Sequence, residues 1–163
     1  MTLSKKQLAL VLALALLFIS FILMLTSSFY EYDTGFLGVW EYSYIDITFG
    51  RTETILGIPA QLFAVSYMNL VPLCLILVSA VLIVLKLINK NLSKDKATSL
   101  IIAIALVIAG VLLAFAKQFI TPGNESSDPD YSYLNMTVSG IVIIILTIFA
   151  GGIVGATEYV LSK

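Results

Sequence analysis

Histidine is absent from this chain of 163 residues, which removes the commonest metal ligand and general base. One cysteine is present, Cys74, in the middle of an apolar run. A lone thiol excludes an intrachain disulfide and dithiol redox chemistry, and Cys74 reads as a small buried hydrophobe. Charge is scarce at 12%, where a soluble domain carries about 25%. The net charge of −1 leaves no basic footprint for nucleic acid. Arginine and tryptophan occur once each, as Arg51 and Trp40.

Apolar length is what the chain has instead, with 60% hydrophobic residues. Four runs near 20 residues read as transmembrane helices over about 7–29, 59–88, 98–120 and 133–161. The first, capped by Ser4, follows Lys5 and Lys6. Its apolar stretch exceeds a signal-peptide core and no small-x-small cleavage site follows, so it is expected to stay as a membrane helix. Pro59 suits the first turn of the second span, and Pro72 predicts a kink within it. The expected fold class is an all-α membrane protein, one four-helix bundle over 1–163 with a small β-containing first outer loop.

Charge asymmetry sets the expected orientation. Lys5, Lys6, Lys86, Lys90, Lys94, Lys96 and Lys163 fall at the two ends of the chain and in the middle loop, 89–97. The other loops, 30–58 and 121–132, are acidic. The positive-inside rule therefore places both termini and the middle loop in the cytoplasm, for a multi-pass protein of the cell membrane.

The first outer loop is rich in strand-forming residues. Trp40, Tyr42 and Tyr44 alternate with Glu41 and Ser43 from Phe36 onward, which favours a strand. A turn at Phe49-Gly50-Arg51 and a return strand over 52–55 complete an expected hairpin. An aromatic cluster at headgroup level is the alternative. Gly38-Val39-Trp40 resembles the Gly-Leu-Trp signature in the first extracellular loop of the claudin/PMP22 four-transmembrane superfamily. Leu56-Gly57-Ile58-Pro59-Ala60-Gln61-Leu62 is similar to the stretch that leads claudins into their second helix. Claudins carry two loop cysteines after the tryptophan; here Ser43 stands at the first, and no cysteine follows until Cys74. The resemblance implies a loop that mediates association, with Phe36, Gly38, Trp40, Tyr42, Tyr44, Arg51 and Pro59 as interaction or structural residues.

Chemistry-bearing patterns are few. The acidic loops read as solvated, with no nucleophile beside a base and no EF-hand spacing. Catalytic, metal and cofactor sites are therefore not expected. Lys117 and Glu158, the ionisable residues noted inside spans, read as snorkelling near helix ends. Among the mid-span polar residues Ser20, Ser66, Asn69, Ser79 and Thr147, the pair Asn69 and Ser66 is the expected interhelical hydrogen-bond cluster. Gly151, Gly152 and Gly155 form small-xxx-small faces for helix packing. Asn124 is a possible glycosylation site; Asn135 also matches the sequon.

The expected function is non-enzymatic: a claudin-like structural or interaction protein. Its partners are the lipid bilayer and either further copies or another membrane protein. An auxiliary subunit of a channel, transporter or respiratory complex is the alternative.

Overall fold

The computed structural model describes residues 4–33, 35, 38–55, 58–89, 92, 95–123 and 133–159. Four long helices dominate: α1 (Lys5–Thr26), α3 (Tyr67–Ile88), α4 (Lys96–Ala114) and α5 (Val138–Tyr159). Each is long and apolar enough to cross a membrane. At 1.5 Å per residue they measure about 28–33 Å, against about 30 Å for a bilayer's hydrocarbon core.

Local signals start these helices. Ser4 and Gln7 form a reciprocal capping box on α1, as the sequence suggests. Ser66 accepts from the Asn69 N–H at the start of α3, and Asp95 from the Ala97 N–H at the start of α4. Thr137 Oγ1 accepts from the Gly140 N–H and donates to the Ser28 carbonyl, so the start of α5 is also tied to the start of the strand that follows α1.

Side-chain polarity is distributed inside out. Ser20, Ser79, Ser99, Thr147 and Thr157 are buried, while Phe18, Val81, Ile101, Ile145 and Phe149 point outward. Water does not favour that arrangement; a hydrocarbon surround does. Cys74, expected to be buried, also lies on the outward face. α5 packs between α1 and α4, and α4 packs on α3, whereas α1 and α3 meet only sparsely. The ring is therefore open between α1 and α3.

A cap of two sheets covers one end. β1 (Ser28–Asp33), β2 (Val39–Ser43) and β6 (Leu134–Met136) form one antiparallel sheet in the order β2-β1-β6. β3 (Arg51–Ile55), β4 (Ile58–Ala64) and β5 (Thr121–Pro122) form the other, in the order β3-β4-β5. A short helix α2 (Tyr44–Phe49) joins β2 to β3. Both acidic segments contribute strands, because a two-stranded hairpin is marginal alone and a third strand completes each sheet.

Several expected boundaries are thereby corrected. The second membrane helix begins at Tyr67 rather than 59, and Pro59 lies within β4, paired with Thr54. β5 pairs with β4 only at Phe63 and Ala64, so Pro59 lies where β4 has its described neighbour on one side only, a place where a strand tolerates proline. The first helix ends at Thr26, where β1 takes over. The third ends at Ala114, before a 3-10 turn over Ala116–Phe119, and the fourth starts at Val138 after β6. α3 continues through Pro72, which sits in its second turn.

The expected hairpin between the Trp40 strand and residues 52–55 is not formed. β2 pairs back onto β1, and β3 pairs forward onto β4. Ser43 interrupts the strand by capping α2: its Oγ accepts from the Asp46 N–H, and the Asp46 carboxylate accepts from the Ser43 N–H at 2.7 Å. Gly50 then reverses the chain at φ +88°, where a Cβ would meet the Phe63 carbonyl at 2.7 Å.

Candidate functional site

Two groups of side chains stand out, one at each end of the bundle. In the cap, Phe29, Tyr30, Tyr44 and Ile47 are fully buried. Phe29 meets Tyr30 and Tyr44 edge-on at 5.1 and 5.0 Å between ring centres. Tyr42 meets Phe63 edge-on at 4.8 Å, which ties the first sheet to the second. Burial pushes the Tyr30 phenol up to about 12. Tyr42 is also pushed up to about 12, by burial first and then by the Glu53 carboxylate.

The cap places most of the residues nominated from sequence. Trp40 and Tyr42 share one face of β2 with Glu41 on the other, as alternation predicts. Trp40 is only half-buried and stands opposite Tyr32, so the centre of the cap is the Phe29, Tyr30 and Tyr44 cluster. Tyr44 does not extend the strand face; it opens α2 and its Oη donates to the Asn69 carbonyl at 2.7 Å. Gly38 precedes β2 at φ +91°, a conformation that favours glycine. Phe36 and Asn124 lie outside the described residues. Asn135 is exposed on β6.

Arg51 is committed inside the cap. Its guanidinium donates to the Glu41 carbonyl and to Asp46 at 3.2 Å, pairs with Glu53 at 2.5 Å and lies 5.5 Å over the Tyr42 ring. One arginine thereby clamps β2, α2 and β3. The large apolar side chains that the cap leaves exposed are Val39 at the β2 edge, Phe49 at the end of α2 and Tyr133 before β6, beside exposed polar groups such as Glu41 and Asn135.

At the opposite end, one carboxylate oxygen joins all four helices. Glu158 Oε1, on α5, lies 2.7 Å from Lys6 Nζ on α1 and accepts from Ser99 Oγ on α4 at 2.7 Å. Lys86 Nζ on α3 stands 3.8 Å away and donates to the Asp95 carbonyl at 2.6 Å. The Lys86 side chain is fully buried and that of Glu158 is 7% exposed. Snorkelling is therefore the wrong reading for Glu158, because its partners sit inside the bundle. Lys117, at the cap end, donates to the Leu134 carbonyl at 2.7 Å and so is bonded inward too.

Sequence reasoning missed Lys86 and Ser99. The available signal was helical spacing: Lys86 follows Ile76, Ser79 and Ile83 on one buried face of α3.

The interhelical hydrogen bond at mid-bundle is Ser20 to Thr147, 3.0 Å between α1 and α5. Ser66 instead caps α3 and donates to the Phe119 carbonyl at 2.5 Å. The Asn69 side chain is buried with no hydrogen-bond partner among the described residues, so it does not form the expected cluster. Gly151 and Gly155 do face α4: a Cβ on Gly151 would lie 3.0 Å from Leu106 Cβ, and one on Gly155 3.5 Å from Ala103 Cβ. Gly152 faces open space, so it takes no part in the close approach.

No protein-family model, curated protein or solved structure matches the chain.

Proposed function

We propose that the chain is an integral membrane protein with a non-enzymatic, structural or interaction role, and that its sheet cap carries the association. The observation that carries this reading is the pairing of an inside-out bundle with an ordered cap whose edge strand exposes Val39 beside Trp40. An edge strand offers unpaired backbone groups to a partner strand. The resemblance of Gly38-Val39-Trp40 to the claudin signature is in keeping with this role, as are strands drawn from both acidic segments. In this reading the cap lies outside the cell, and the Lys6, Lys86 and Lys96 end faces the cytoplasm.

Amine cross-linking of the full chain in native membranes tests the proposal. The expected products are oligomers or one defined heterologous complex. Val39→Glu is expected to reduce them about tenfold, on the order of 1.4 kcal/mol of association. Recovery of monomer alone, with no partner, overturns the association role. One partner at a constant ratio assigns the cap to an auxiliary subunit instead of a self-associating protein.

A further inference from the structure

We propose that the opening between α1 and α3 is a binding site for one anionic glycerophospholipid, with an acyl chain in the groove and the phosphate at Lys6. This inference rests on the reading that the four helices span a bilayer. The groove measures about 560 Å3 and is lined by apolar side chains, among them Val11, Leu14, Phe18, Phe21, Leu77 and Ala80. It exists because α1 and α3 are the neighbours in the ring that fail to close on each other.

Charge at one end of this groove chooses its occupant. Lys6 continues the Leu10, Leu14, Leu17 and Phe21 stripe of α1 by helical spacing, and Lys86 continues the Ile76, Ala80 and Ile83 stripe of α3. Both ammonium groups converge on Glu158 Oε1, about one and a half helical turns beyond the Val11 and Ala80 end of the groove lining. Two cations share the Glu158 carboxylate there, with Asp95 also against Lys86. Lys6 keeps 20% of its side chain exposed, and Lys5 beside it is exposed. Basic pockets between membrane helices at the cytoplasmic side are suited to anionic headgroups. Val11 lies about 8 Å from Lys6 along the helix axis, within the ~15 Å depth of one leaflet. A lipid held by its phosphate at Lys6 therefore puts its chain straight into the groove.

A helix from a second copy suits the site less well. Glu158 is the one acidic residue within the four spans, and it is already buried in its own bundle. A second copy therefore has no intramembrane carboxylate to offer the excess positive charge.

The test is native mass spectrometry of the full chain in mild detergent, with phosphatidylglycerol, phosphatidylcholine or inorganic phosphate added. The expected result is one phosphatidylglycerol retained per chain, with neither phosphatidylcholine nor inorganic phosphate retained comparably. Lys6→Gln is expected to lower retention about fivefold, the loss for one lysine removed from beside an anionic headgroup. Ala80→Leu, which fills the groove and leaves the ion cluster intact, is expected to lower it as well. Equal retention of the two lipids overturns the proposal, as does retention that Ala80→Leu leaves unchanged. A dimer that Ala80→Leu dissociates overturns it in favour of a second copy. Carbonate extraction of membranes separates the two levels: a chain stripped by carbonate refutes the membrane reading itself. A chain that resists extraction but shows no lipid selectivity refutes only this site.

Discussion

Glu158 Oε1 meets side chains from α1, α3 and α4 at once, in a region where water is scarce. The local consequence is asymmetric. With the carboxylate present, the buried Lys86 ammonium has a counter-ion within 3.8 Å and a carbonyl at 2.6 Å. With Glu158→Gln, Lys86 and Lys6 lose their common acid. Breaking a buried pair from one side costs about 3–5 kcal/mol, and thermal unfolding in detergent should register that loss. Adding Lys86→Met to Glu158→Gln should recover part of it, because the stranded charge is then gone. If the double variant is no more stable than the single one, Lys86 is not what makes the substitution costly.

At the scale of elements, α4 and α5 pack tightly where glycine removes the side chain. Gly151 sits against Leu106 and the Ala103 carbonyl, while Gly152, one residue on, faces outward. Gly151→Leu should therefore destabilise the bundle by about 1–3 kcal/mol through overpacking. Gly152→Leu should be tolerated within about 0.5 kcal/mol, as for surface substitutions. Equal effects in a detergent melt would refute this face assignment. The four long apolar helices were legible from the length of their apolar runs alone. Their ends were not: Pro59 opens a helix or sits in a strand with equal local ease, and only its pairing with Thr54 decides. The strand's end was misread for a related reason. Ser43 is the last residue of β2, but its capping box with Asp46 turns Tyr44 into the start of α2 where the alternating pattern continues. The third strand of each sheet was hidden because its partners lie far along the chain, as Tyr30 and Met136 do.

For the molecule as a whole, the two ends differ in chemistry. Among the described residues, one end carries the strands, Glu41, Asp46, Glu53 and Arg51; the other carries Lys6, Lys86, Lys96 and the Glu158 cluster. The inside-out bundle between them predicts that each end is accessible from one side only. Glu41 and Lys96 are exposed at opposite ends and can each be replaced by cysteine in a Cys74→Ser background. In intact cells a membrane-impermeant maleimide should label Glu41→Cys and spare Lys96→Cys until the membrane is permeabilised. Labelling of both from outside would refute the membrane-spanning arrangement, and the reverse pattern would refute its orientation.

The position of Glu158 along the chain also bears on how the protein is made. α1 and α3 are synthesised before α5, so Lys6 and Lys86 are in place while their shared acid does not yet exist. Translation at about 5–20 residues per second makes that interval several seconds long. During it, β1 likewise lacks β6, and α1 lacks the helix it packs against. The nascent chain therefore carries Lys6 and Lys86 without the acid they share until its last helix arrives. Closure of the bundle and completion of the first sheet then become a single late event, both brought about by the segment from Leu134 to Glu158.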